Sequence, residues 1–156
     1  RITSANNNID WEIHKGWRLD LVNTDIGNNK GERVINDALV RNDRIIFSTL
    51  VPGDSACGDT ANTSWLMELD RRDGSRLGSP PFDLNDDARF DTTDKVNGEP
   101  PGGIRSKVGA VGTPTVLMHG QQQETKFTAG TTGQIEGKAE NPGAEDRGRQ
   151  SWFELR

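Results

Sequence analysis

Wherever hydrophobic and polar positions along this chain show a period, the period is two, the pattern of half-buried strands. Trp17, Leu19 and Leu21 alternate with Arg18 and Asp20 and predict a first strand. Arg33–Val40 and Ile45–Val51 are rich in Val, Ile, Phe and Thr. Between them Arg41-Asn42-Asp43-Arg44 supplies turn-forming Asn and Asp, so the pair predicts a hairpin. Trp65–Leu69 predicts another strand, closed by the turn Asp70–Gly74, and Arg76-Leu77 predicts the start of a fourth. Strand character resumes at Val108–Gly112, Pro114–Met118, Lys126–Ala129 and Gln134–Glu136, with a turn at Gly130–Gly133. Ser151–Leu155 predicts a short closing strand. No window of 12 residues sustains a helical period, so the expected class is all-β.

One succession of elements occurs twice: a strand, a hairpin, further strands and a Gly-marked turn. That order reads as the blade of a β-propeller, with a small sandwich or meander as the alternative. The expected organisation is a polar N-terminal segment at 1–15, a blade-like unit at 16–77 and a second at 108–136. Between the units, 78–107 is an irregular insertion bracketed by Pro80-Pro81 and Pro100-Pro101. The Gly/Glu-rich stretch and closing strand at 137–156 read as a mobile segment ending the chain. Blade-like units cannot bury both faces alone, so neighbours are expected.

Composition bears on partners. Of 156 residues, 31% are apolar; counting the 18 glycines brings this to about 43%, against a usual ~45–50%. Mean hydropathy is −0.77 and net charge −5, which argues against a nucleic-acid partner. No apolar run approaches the ~18–20 residues that span a bilayer as a helix. Cys57 is the single cysteine, so neither an intrachain disulfide nor a cysteine-based zinc cluster is expected. The chain opens at Arg1 without an initiator Met and reads as a cut-out or processed piece.

The strongest chemical motif lies in the insertion. Counting Asp83 as position 1, oxygen side chains fall at 1, 3, 5, 9 and 12: Asp83, Asn85, Asp87, Asp91 and Asp94. The backbone carbonyl of Arg89 stands at position 7. This is calcium-loop spacing, because alternate residues of a coiled loop can aim hard oxygens at one point. Two departures are visible: Ala88 replaces the usual Gly at position 6, and Asp94 replaces the bidentate Glu at position 12. Pro80-Pro81 argues against an entering helix, so the loop is expected between strands. Calcium is expected to order the Pro80–Pro101 insertion by relieving repulsion among Asp83, Asp87, Asp91 and Asp94. A plain Asp/Asn-rich turn is the alternative.

Other motifs are weaker. Gly53-Asp54-Ser55 is a three-residue match to hydrolase nucleophile segments, with His14 and His119 as the candidate bases. Trp11 and Trp152 could serve a carbohydrate-binding module. No cluster of catalytic residues is visible, and the chain is expected not to be an enzyme.

Several segments, in order, resemble the C-terminal end of the PilY/PilC family of type IV pilus tip-associated proteins. They are Gly16-Trp17-Arg18-Leu19-Asp20-Leu21, Gly31-Glu32-Arg33-Val34, Ile46–Pro52, Cys57, Ser64–Asp70, Phe82-Asp83-Leu84-Asn85, Gly103-Ile104-Arg105-Ser106 and Gly148–Trp152. The resemblance implies the last blades of a quinoprotein-like β-propeller, exported to the pilus tip, cell surface or outer membrane. It implies minor pilins or a pilus tip complex as partners, and a host or surface receptor. The implied roles are pilus assembly, opposition to retraction, adhesion and twitching motility. Family members carry regulatory calcium loops, and no Arg-Gly-Asp triplet occurs in this chain.

Overall fold

A computed structural model of the chain describes residues 1–21, 31–53, 62–120 and 122–143. The first sheet is an antiparallel meander of β1 (Leu39–Arg41), β2 (Arg44–Val51), β3 (Thr63–Asp70) and β4 (Gly103–Arg105), hydrogen-bonded in that order. The second is a three-stranded meander of β5 (Thr115–His119), β6 (Gln123–Ala129) and β7 (Ile135–Glu140). The only helical piece among the described residues is a 3-10 turn, Thr92–Asp94. The described residues are therefore all-β, and neither sheet closes on itself.

The predicted hairpin is present and tightly specified. Arg41 pairs with Arg44, leaving Asn42 and Asp43 as a two-residue loop with φ of 48° and 60°. Two successive positive φ angles match the twist of the flanking strands, and Asn and Asp tolerate them better than most residues. Strand β2 then pairs with β3 over its full length, from Arg44 opposite Asp70 to Val51 opposite Thr63.

Several predicted strands are corrected. Residues 17–21 form no strand, yet Leu19 packs on the cluster of Phe47, Met67 and Leu69, and Trp17 Nε1 donates to the Arg71 carbonyl at 3.1 Å. Their alternation reflects burial on one side without a strand partner. Arg33 makes only an isolated bridge to Leu50, so β1 is shorter than Arg33–Val40. Arg76-Leu77 is not the fourth strand; β4 takes that edge from within the 78–107 insertion. In Val108–Gly112 only Val111 bridges, to Gly130. Strand β7 runs on to Glu140, into the stretch expected to be mobile. The predicted strand Ser151–Leu155 lies outside the described residues.

The polar N-terminal segment crosses one face of the first sheet. Arg1 stacks on Trp65 with its guanidinium 4.6 Å from the ring centre, and it makes a two-pronged pair with Glu32 at 2.7 Å. Gly74 closes the β3 turn at φ 69°, and an added Cβ would stand 2.6 Å from the Trp17 ring. The opposite face of the first sheet buries Ile46, Leu66 and Phe82 and looks toward the second sheet. The second sheet is apolar on its far side, where Leu117, Phe127 and Ile135 are 51%, 38% and 73% exposed. Its near side carries Glu124, Lys126 and Thr128, all buried.

Candidate functional site

The acidic loop leaves the strand framework at a backbone clip. Phe82 bridges Glu140, Asp83 N–H donates to the Ala139 carbonyl at 3.2 Å, and Asn141 N–H donates to the Pro81 carbonyl at 2.9 Å. The structure therefore roots Asp83 against β7. Asp83 is buried, and its two carboxylate oxygens accept from Asp87 N–H at 3.3 Å and Ala88 N–H at 2.8 Å. Asp94 is fully buried at the other end and accepts from Leu84 N–H at 2.7 Å and Asp91 N–H at 3.1 Å. Asp83 thus anchors the middle of the loop, and Asp94 ties its end back to its start at Leu84.

The exposed members are held by local contacts. Asn85 accepts from Asp87 N–H at 3.2 Å and donates to Asp87 and to Thr93 Oγ1, both at 3.1 Å. Asp87 accepts from Arg89 N–H at 2.9 Å. Asp91 caps the 3-10 turn by accepting from Thr93 N–H and Thr93 Oγ1, and these bonds hold its carboxyl below the usual range. Ala88, at the position expected to want Gly, does take the sharp turn, with φ 60°. The donor set is all hard oxygen, which suits calcium. In this conformation, however, the oxygens face backbone amides. Among the described residues no three carboxylate, histidine or cysteine groups come together as a metal cage. The repulsion expected among these carboxylates is met here by N–H groups.

The other sequence candidates are scattered. Ser55 and Cys57 lie outside the described residues, as does Trp152. His14 Nδ1 accepts from Asp10 N–H at 3.0 Å within an exposed local turn. His119 ends β5 on the surface, and Trp11 is 58% exposed.

A second constellation was not anticipated. Between the sheets, Lys126 of β6 is buried with its ammonium against three carboxylates: Glu68 of β3 at 2.5 Å, Glu124 of β6 at 2.7 Å, and Glu140 of β7. Arg44 of β2 donates to Glu68 at 2.9 Å and to the Asn141 carbonyl at 2.5 Å. Arg41 of β1 reaches Glu124 at 3.2 Å from the half-exposed rim. Four strands from both sheets therefore meet in one desolvated charge network, with β1 closing its edge.

Burial works against the charge on Lys126, but Glu68, Glu140 and Glu124 overcome it and raise its pKa. Burial also works to raise Glu68; Glu140 beside it, Lys126 and Arg44 outweigh it and leave Glu68 lowered. Glu140 goes the other way: burial and the neighbouring Glu68 raise it well above the usual range. One signal for this cluster stood in the sequence. In Gln123-Glu124-Thr125-Lys126-Phe127-Thr128-Ala129 the charges alternate with period two, so Glu124 and Lys126 share a face.

No protein-family model matches the chain. It is 30% identical over 138 residues to type IV pilus biogenesis factor PilY1 of Pseudomonas aeruginosa strain UCBPP-PA14, covering 88% of this chain and 11% of that protein. Against PilY1 of P. aeruginosa strain PAO1 the identity is 30% over 162 residues, covering 97% of this chain and 13% of the relative. A PilY1 homolog of Xylella fastidiosa is 30% identical across 57% of this chain and 7% of its own. The crystal structure of the P. aeruginosa PilY1 C-terminal domain superposes with a TM-score of 0.55 at 24% identity, over 74% of this chain and 21% of that one, a likeness of fold. The chain spans only 11% to 13% of the length of the P. aeruginosa relatives.

Proposed function

Because this chain is a PilY1-type C-terminal region, we propose that it serves as a non-enzymatic part of a type IV pilus biogenesis factor. In this reading it is exported and exposed at the pilus tip or cell surface. There it supports pilus assembly, opposes retraction and contributes to adhesion and twitching. Its partners are minor pilins or a pilus tip complex, with a host or surface receptor beyond. The observation that carries the proposal is the 30% identity to a named pilus biogenesis factor across 97% of the chain. Among the described residues no helix is long and apolar enough to cross a membrane.

The propeller-blade reading draws support from two features. Each sheet is an antiparallel meander, and the far face of β5–β7 leaves Leu117, Phe127 and Ile135 uncovered. A further sheet laid on that face would bury them as the near face is buried. Shearing pili from intact cells and blotting for this chain tests the assignment. Recovery with the pili, lost when pilus assembly is blocked, is the expected result. Confinement to the cytosol would overturn it.

Calcium binding at Asp83, Asn85, Asp87, Asp91, Asp94 and the Arg89 carbonyl is proposed on the spacing and on the all-oxygen donor set. It requires carboxylates to exchange backbone amides for the ion. Calorimetric titration of the wild type against D87A decides it, with binding heat expected in the wild type and reduced in the variant. No heat, or equal heat in both, would remove the metal from the account.

A further inference from the structure

We propose that Glu68 and Glu140 share a single proton within the charge network between the sheets, and that this proton latches the two sheets together.

Three geometric facts support it. First, the two carboxyls belong to different sheets and both contact the same Lys126 ammonium, which brings like charges together in a site from which water is excluded. Two carboxylates held against one ammonium in a desolvated site do not both ionise readily. Second, the fully buried groups do not balance when all are charged. Glu68, Glu124 and Glu140 face Lys126 and Arg44, while Arg41 pairs with Glu124 from the partly exposed rim, offsets it only in part, and contacts neither Glu68 nor Glu140. One proton on the Glu68–Glu140 pair makes the buried set neutral. Third, Glu140 Oε1 is buried without a hydrogen-bond partner. An ionised carboxylate would strand charge on that oxygen, whereas a neutral carboxyl carries far less of it.

The remaining charges on this face are engaged elsewhere. Lys138 pairs with Glu136 at 3.4 Å, Glu136 also accepts from Ser106 and Lys107, and Asp70 is held by Arg72 at 2.9 Å. None of them neutralises the pair. The raised pKa of Glu140 and the lowered one of Glu68 agree on which partner holds the proton.

The sign of the pH dependence follows. A carboxyl whose folded pKa is raised stabilises the fold at low pH and loses that contribution as pH rises through its folded value. Glu140 therefore makes the docked sheets labile toward alkali. Glu68, lowered, makes them labile toward acid, as pH falls through its own folded value.

Infrared difference spectroscopy of the wild-type protein tests the latch directly. A neutral carboxylic-acid band is expected at neutral pH, fading as the solution is made alkaline and absent in E140Q. Urea midpoints measured from about pH 6 upward should fall in the wild type and stay level in E140Q, whose amide mimics the neutral acid. E68Q should lower the midpoint already at neutral pH, because Glu68 carries the charge facing Lys126 and Arg44. Absence of the acid band in the wild type would overturn the proposal without recourse to any variant. An equal alkaline fall in E140Q and wild type would overturn it as well.

Discussion

Replacing Lys126 with Met is the perturbation with the largest expected consequence. Met keeps the length of the stem and removes the ammonium. In the wild type that ammonium is fully buried and touches Glu68 at 2.5 Å, Glu124 at 2.7 Å and Glu140. Removing one partner of a buried ion pair leaves an uncompensated charge and costs about 3–5 kcal/mol. Here the charged Glu68 and Glu124 and the neutral Glu140 lose one cation; Arg44 still serves Glu68 and Arg41 still serves Glu124, which keeps the cost within that range. Against a total stability of roughly 5–15 kcal/mol, this is a large share. The assay is equilibrium urea unfolding, with the midpoint compared at unchanged slope. Adding E140Q to K126M should change the loss little, because the amide replaces a Glu140 carboxyl that is already neutral and removes no further charge. A K126M penalty below about 1 kcal/mol would refute the reasoning, since that is the scale of a solvated pair.

The loop gives two further expectations. D94A removes the buried acceptor of the partly buried amides of Leu84 and Asp91, at about 0.5–1.5 kcal/mol each, so it should lower the urea midpoint, and D91A, at the surface, should lower it less. Ala88 holds φ 60°, where a side chain costs about 1–2 kcal/mol relative to the right-handed region, so A88G should raise the thermal midpoint by a few degrees.

Much of the fold was legible where local chemistry decides it. The β1–β2 hairpin was readable because Asn42 and Asp43 suit a two-residue turn and β-branched residues flank it. Strands β3 and β5 were readable for similar reasons. Strand β4 was not, because Gly103–Arg105 has little strand propensity of its own and is ordered by pairing with Trp65–Met67. Residues 17–21 were misassigned because alternation reports which side is buried and says nothing about a hydrogen-bonding partner. The acidic loop stood out by spacing, but spacing does not tell whether oxygens face a cation or their own backbone amides. The charge network was hidden for a different reason. Charged residues in a strand are expected to face water, and Glu68 lies within an apolar strand, 58 residues from the lysine it meets. Only the docking of two sheets brings them together.

The claim that this chain belongs to a pilus biogenesis factor opposing retraction is most directly tested by counting surface pili after deleting it in frame from its host. The account expects surface pili to be lost when retraction is intact and to return, at least in part, when retraction is disabled. Normal piliation and twitching after the deletion would contradict it.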